Sequence, residues 1–248
     1  MTYCLAMKVE EGLVLASDSR TNAGVDYVRA SSKLHQFIWP GDRVFVLLTS
    51  GNLATTQAVV NDIERDLEDA STNRNLLSMT RLFDAACYVG ELSRKQQEVH
   101  ADVVEKTGGS TAASFILGGQ IGDRAPDIFL IYPEGNCISA SFDNPFLQIG
   151  ETKYGKPILD RILAPDTSLN DAARLALVSL DSTVRSNISV GPPFEISLYQ
   201  ANSLTEPRRV RYTLDSPIYR ALHKSWNDGL RRVFQRLPRF DWETDPEP

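Results

Sequence analysis

Residues 1–20 read MTYCLAMKVEEGLVLASDSR. Two short apolar runs, 3–9 (YCLAMKV) and 13–17 (LVLAS), flank Glu10-Glu11-Gly12, and a glycine-containing turn between such runs predicts a β-hairpin. With the turn at 10–12, cross-strand partners carry numbers that sum to 21 or 22. Thr2 then lies opposite residue 19 or 20, with Asp18 beside it. The open end of the hairpin gathers a hydroxyl, a carboxylate and, once Met1 is removed, a free α-amino group.

The neighbouring elements feed the same edge. Runs 33–39 and 43–50 repeat the hairpin pattern around Pro40-Gly41-Asp42, and the second of them, RVFVLLTS, is apolar enough to be covered on both faces. Lys33 heads the third strand at SKLHQF. Gly51 ends the fourth and opens a helix, so its N–H points into the site where the partial positive charge of a helix start collects. Leu53, Thr56, Val60, Ile63 and Leu67 recur at helical spacing after it, and Met79, Leu82, Phe83, Ala86, Val89 and Ser93 form the stripe of a second helix. Residues 105–110 read as a loop. Strands are expected at 111–118, 127–132 and 137–142, with Pro133-Glu134-Gly135-Asn136 as a hairpin turn. Helices near 152–163 and 170–186 follow, the latter started by a Ser168/Asp171 capping box. Strands at 194–200 and 208–213 close the body.

Helices that arrive in adjacent pairs between hairpin-linked strands argue against a doubly wound parallel sheet. The pattern predicts an α+β fold, a four-layer α-β-β-α sandwich in one domain over residues 1–213. Residues 214–248 form an extension: Ser216-Pro217 starts a helix whose apolar stripe runs Tyr219, Leu222, Trp226, Leu230, Val233, Leu237. That stripe either packs on its own body or makes oligomer contacts.

Composition narrows the partners. The 26 Lys and Arg against 32 Asp and Glu give a net charge of -6, which argues against nucleic acid, whose binding rests on clustered cations. No apolar run approaches the 18 or so residues of a membrane span, and the N-terminus lacks a secretory pattern. Cys4, Cys87 and Cys137 are widely spaced in sequence and read as buried thiols of a reducing compartment, hence a cytoplasmic protein. His35, His100 and His223 show no zinc spacing, and the reading calls for no metal and no cofactor.

The residues at the hairpin end suffice for acyl transfer. A threonine hydroxyl needs a base, and an α-amine, with a reference pKa near 8, can be neutral and serve. An ammonium at Lys33 favours the deprotonated forms of both, Asp18 holds that ammonium, and the N–H of Gly51 meets the oxyanion. One decoy stands apart: Gly150 to Lys156 (GETKYGK) has phosphate-loop spacing and follows a plausible strand, FLQI, but Pro157 occupies the place of the magnesium-binding hydroxyl.

Thr2 with its strand, GLVLASDSR (12–20), SSKLHQF (31–37) and TSGNLATT (49–56) opening a helix together resemble a proteasome β-type subunit, over about residues 2–200. MTYCLAM, SDSRTNAGVDY (17–27) and the long C-terminal extension make the chain most similar to a bacterial, proteasome-related peptidase branch of that family. The resemblance implies the N-terminal-nucleophile hydrolase fold, a peptide or amide substrate, and a ring-like or helical homo-oligomer; whether an ATPase feeds it stays open. It implies Thr2 as nucleophile and base, Asp18 and Lys33 as partners, and Gly51 as oxyanion donor. Thr21 and Asn22 would bond an extended substrate strand, and Thr49 and Leu53 would border the pocket for the side chain before the scissile bond. Two motifs depart: the family's Gly-Ser-Gly reads Gly150-Glu151-Thr152, and its Arg-Asp-x-x-Ser reads Arg185-Ser186-Asn187-Ile188-Ser189. Ser189 keeps the serine, and Glu151 is expected to compensate for the lost acid. A small-molecule amidohydrolase and a non-catalytic assembly subunit are the competing readings.

Overall fold

The computed structural model describes residues 2–22 and 28–243. The first hairpin is β1 (Tyr3–Val9) and β2 (Gly12–Ser17), with every cross-strand pair from Cys4↔Ser17 to Val9↔Gly12 in the expected register. A two-stranded ribbon, β3 (Arg20–Asn22) and β4 (Val28–Ala30), follows. Next come β5 (Leu34–Trp39), β6 (Arg43–Gly51), α1 (Leu53–Glu68) and α2 (Leu82–Lys106). Strands β7 (Ala113–Ile121), β8 (Asp127–Ile131), β9 (Cys137–Ser139) and β10 (Phe146–Gly150) lead to α3 (Thr152–Ile162) and α4 (Leu169–Ser186). The chain then runs through β11 (Phe194–Gln200), β12 (Arg208–Tyr212), α5 (Pro217–Gln235) and a short 3-10 turn at Asp241–Glu243.

Two five-stranded antiparallel sheets result, one ordered β10-β1-β2-β11-β12 and the other β5-β6-β7-β8-β9. Period-two alternation distributes their side chains. Cys4, Ala6, Leu13 and Leu15 meet Leu34, Val46, Leu48 and Ile116 between the sheets. Tyr3, Leu5, Val14 and Ala16 face the opposite way, against Leu159 of α3 and Leu177 and Leu180 of α4. Phe45, Leu47 and Phe115 pack on Val59, Ile63, Ala86 and Val89 of α1 and α2. Each fully buried side chain of this size contributes about 1.5–3 kcal/mol, and three such clusters hold the four layers together. The fold is the expected α-β-β-α sandwich.

Several boundaries shift. Met79 and Leu76 enter the core from the loop before α2, where the Arg43 guanidinium donates to the carbonyls of Leu76, Leu77 and Met79 at 2.7–3.0 Å. Phe83 is half exposed and not part of the buried face. Strand β7 reaches Ile121 and β9 stops at Ser139, where the expectations were 118 and 142. Cys4 is buried, but Cys87 and Cys137 are only half-buried, and burial first, then the neighbouring Cys87 thiol, raises Cys137 to about 11. Ser168 caps α4 as expected, accepting from the Asp171 N–H at 3.1 Å, and the Asp171 carboxylate takes the Ser168 hydroxyl at 2.7 Å.

The stripe on α5 divides. Tyr219 is buried against Phe194 and donates to the buried Asp181 carboxylate of α4 at 2.6 Å, and His223 Nδ1 meets the same oxygen at 2.8 Å. Leu230, Val233 and Phe234 are exposed, as are Leu237, Phe240 and Trp242 beyond the helix.

Candidate active site

Thr2 stands at the end of β1, nearly buried, at the mouth between the two sheets. Its carbonyl accepts the Glu151 N–H at 2.8 Å. Gly150, with φ +84°, lies flat against that carbonyl, and a Cβ here would overlap the Thr2 oxygen. Both the conformation and the close approach require glycine.

Asp18 follows β2 and is fully buried. Its Oδ1 accepts from the Tyr3 N–H at 3.1 Å and from Lys33 Nζ at 2.6 Å. Its Oδ2 accepts from the Arg20 N–H at 3.2 Å and the Gly191 N–H at 3.1 Å. Lys33, 5% exposed, also donates to the Arg20 carbonyl at 2.7 Å. Burial pushes the Asp18 carboxyl above the usual carboxylate range, against the pull of the Lys33 ammonium and the N–H donors. Cys4, next along β1, points its thiol at the Thr49 carbonyl at 3.6 Å, and burial pushes that thiol up as well.

A cleft of about 550 Å³ opens over this group. It is lined by Thr2, Lys33, Arg20 and Thr21, by Thr49 to Leu53 and Thr56 from β6 and α1, and by Gly150 and Glu151. Gly51 has φ +107°, which lets the chain turn from β6 into α1. Asn52 caps α1, its side chain accepting the Thr55 N–H at 3.1 Å, a cap of about 1 kcal/mol. The Thr21 hydroxyl is buried with no hydrogen-bond partner among the described residues. Such a group costs free energy until something bonds it. The Glu151 side chain is 15% exposed and meets the Lys153 ammonium at 3.8 Å.

Of the expected residues, Thr2, Lys33, Gly51, Thr21, Thr49, Leu53 and Glu151 line this one cleft, and Asp18 supports it from behind. Ser189 does not line it; it is half-buried in the loop whose Gly191 N–H bonds Asp18. The side chain of Asn22 lies outside the described residues, as do Met1 and the 23–27 part of SDSRTNAGVDY. Sequence reading assigned no site role to Arg20, Ser50, Asn52 and Thr56, and Gly150 entered it as the first glycine of the family's Gly-Ser-Gly motif and of the phosphate-loop decoy. That spacing has a packing cause: Gly150 fits against Thr2, and Gly155 lets α3 approach the Tyr3 and Ser179 hydroxyls, themselves 2.7 Å apart. Lys156 is taken by Asp160 at 2.7 Å. Among the described residues no group of three or more His, Cys, Asp or Glu could hold a metal ion, and no helix is long and apolar enough to cross a membrane.

A sandwich of two antiparallel sheets, with a small hydroxyl residue at the end of an inner strand and a buried Lys–Asp pair beside it, defines a hydrolase subunit of the N-terminal-nucleophile kind. The model of the proteasome subunit family matches residues 2–198, and the chain belongs to that family. Within it the chain is similar to solved structures of Anbu. It is 42% identical to Anbu, an ancestral β-subunit, from Yersinia bercovieri, with 97% of this chain and 99% of that one covered and a TM-score of 0.88. It is 44% identical to the Anbu (Gly-1) mutant from Hyphomicrobium sp. strain MC1, covering 97% and 100% at a TM-score of 0.90. It is also 44% identical to the chain in the helical assembly of the Anbu complex from Pseudomonas aeruginosa, covering 98% and 100% at 0.90. No curated protein matches.

Proposed function

We propose that this chain is a threonine-type peptidase that cleaves peptide or related amide bonds through an acyl-enzyme on Thr2, in a cytoplasmic homo-oligomer. Removal of Met1 frees the α-amine. That amine takes the Thr2 hydroxyl proton as Oγ bonds the substrate carbonyl carbon, and the Gly51 N–H holds the oxyanion. The amine then returns the proton to the leaving nitrogen as the C–N bond breaks, and water repeats the sequence to release the acid. Lys33 supplies an ammonium at the site, Asp18 holds Lys33, Glu151 borders the cleft, and Ser189 supports it from the loop that bonds Asp18. Thr21, whose hydroxyl has no partner among the described residues, and Asn22 bond the substrate backbone; Thr49 and Leu53 border the side-chain pocket.

One observation carries the reading: a single buried carboxylate, Asp18, bonds both Lys33 Nζ and the N–H that follows Thr2. The test is intact mass with an electrophilic probe, such as a peptide β-lactone. The expected result is a protein lacking Met1 that gains one adduct on Thr2. Retained Met1, or an adduct elsewhere, overturns it. The hydroxyl-rich lining, with Leu53 its one large apolar side chain among the described residues, also suits a small polar amide, and profiling peptides against small amides decides between the two.

The Anbu complex of Pseudomonas aeruginosa forms a helical assembly, which supports a ring or helical homo-oligomer here. We assign its contacts to residues 214–248, whose apolar side chains are exposed from Leu230 onward. Truncation after Asp228 keeps the Tyr219–Asp181 anchor. It is expected to leave the sandwich folded and to reduce the sedimenting species to a smaller one.

A further inference from the structure

Lys33 belongs to no strand; it sits in the three-residue link, 31–33, between β4 and β5. On one side its carbonyl accepts the Thr49 N–H at 3.0 Å. On the other side the chain is gripped from the opposite sheet. The Ser32 hydroxyl donates to Glu195 Oε2 at 2.7 Å. One guanidinium nitrogen of Arg209, Nη2, donates to Glu195 Oε1 at 2.8 Å, to the Ser32 hydroxyl at 3.0 Å and to the Leu34 carbonyl at 3.3 Å. Glu195, on β11, is buried and pairs in register with Ser17, the residue before Asp18. Arg209, on the edge strand β12, pairs with Ser197.

We infer that Glu195 and Arg209 are positioning residues for the reaction. They clamp the residues on both sides of Lys33 to the sheet that carries Asp18, and so fix the distance from the Lys33 ammonium to Asp18 and to the Thr2 amine. The inference rests on the proposed role of Thr2 and Lys33.

Three features support a dedicated clamp over a surface ion pair. The carboxylate is buried and uses both oxygens, one on a hydroxyl and one on a guanidinium, as a buried charge requires. The bonds cross from one sheet to the other at the single link that holds Lys33. Neither Glu195 nor Arg209 lines the cleft, so the pair acts on Lys33 only through Ser32 and Leu34. The Arg209 charge also reaches the next residue along β5: burial first, then Arg209, lowers His35, with Glu195 opposing.

A clamp of this kind makes a signed prediction. Arg20, Lys33 and Glu151 are the charged groups that line the cleft with Thr2 among the described residues, and Asp18 lies behind it. The Arg20 guanidinium is held by the Ile188 carbonyl at 2.5 Å and the Lys153 ammonium faces Glu151 at 3.8 Å; the Lys33 ammonium is the cation fixed to Asp18, and it lowers the pH at which the amine becomes a free base. Loosening Lys33 moves the pH dependence of Thr2 acylation upward. It also slows the plateau rate by roughly 10- to 100-fold, the scale of a misplaced catalytic group. A residue that only supports the fold would lower the fraction of active protein and leave the pH midpoint in place.

The experiment measures the rate of single-adduct formation by the β-lactone probe across pH 5–10, by intact mass, on the full chain. Arg209→Gln and Glu195→Gln are the variants, Arg209→Lys is the conservative partner, and Arg208→Gln, exposed on the same strand, is the control. The expected outcome is an upward shift in the pH midpoint for Arg209→Gln and Glu195→Gln, partial recovery in Arg209→Lys, and wild-type behaviour in Arg208→Gln. Should Glu195→Gln fail to fold, Arg209→Gln alone decides. A midpoint equal to wild type, at any plateau rate, overturns the clamp while leaving the proposed function standing. Absence of any Thr2 adduct in the wild type overturns both.

Discussion

The space between the two sheets ends in a polar cluster on each side, and the two clusters are built on opposite terms. At one end, around Thr2, a buried carboxylate meets a buried ammonium, and the hydroxyls of Ser17, Ser19 and Thr21 are buried without partners among the described residues. At the other end, where the first hairpin turns, Gln120 Oε1 accepts from the Tyr199 hydroxyl at 2.7 Å and from the Asn202 N–H at 2.9 Å. Its Nε2 donates to Asn202 Oδ1 at 3.0 Å and to the Gly122 carbonyl at 3.2 Å. This second cluster is neutral and closed. Equal burial therefore yields two kinds of site: the closed one spends its hydrogen bonds on holding the sheets together, and the open one keeps charge and unbonded donors for something that arrives.

The sharpest way to break this contrast is at Thr2. Thr2→Ala removes the hydroxyl at the open end, and acylation is expected to fall by at least about 10³-fold, with Tm within a few degrees of wild type. Asp18→Asn comes next, with a loss of about 10²-fold in the acylation rate. In the wild type, acylation is expected to fall as pH drops through the Asp18 value, since an ionised Asp18 is what holds the Lys33 ammonium. Burial raises that value, so the acid limb lies above the ordinary carboxylate value of about 3.9. Asp18→Asn has no such limb, and a rate profile that keeps it would assign the limb elsewhere.

Attacking the closed end should do the reverse. Gln120→Ala leaves the Tyr199 hydroxyl and the Asn202 N–H without an acceptor, at about 1–3 kcal/mol each. Denaturant unfolding should show the loss, with acylation of the folded protein within twofold of wild type. The smallest effect concerns His35. Its pKa is lowered in the fold, so the folded state resists its protonation. The stability this residue contributes is whole above the unfolded value of about 6.5 and fades as pH falls toward the folded one. His35→Gln should therefore lose less Tm than wild type between pH 7 and 5.

Local patterns revealed much of this. Turn chemistry at Glu10-Glu11-Gly12 set the register of β1 and β2, and the register alone put Asp18 beside Thr2. Lys33 and Gly51 were legible because one immediately precedes a strand and the other ends one. What stayed hidden depends on contacts across the fold. Arg20 reads as an ordinary charged residue until its carbonyl is seen to hold Lys33. Gly150 stands in a recognisable motif, but its close approach to Thr2 shows only in the fold. Met79 looked helical because its spacing fits; its place is set by Arg43, 36 residues upstream. Glu195 and Arg209 gave no signal at all, since their meaning lies in a loop some 160 residues away.

The anchoring of α5 has a mechanical consequence. A 19-residue helix is about 28 Å long, and its first half is fastened to α4, by Tyr219 and His223 to one oxygen of Asp181 and by Asn227 to the Arg185 guanidinium at 2.7 Å. A rod held at its root multiplies angular error: a tilt of roughly 5° there moves the tip by about 2 Å over that length. The aim of the exposed tip, and of any surface that meets it, is thus governed by two residues of α4, Asp181 and Arg185, far from the point of contact.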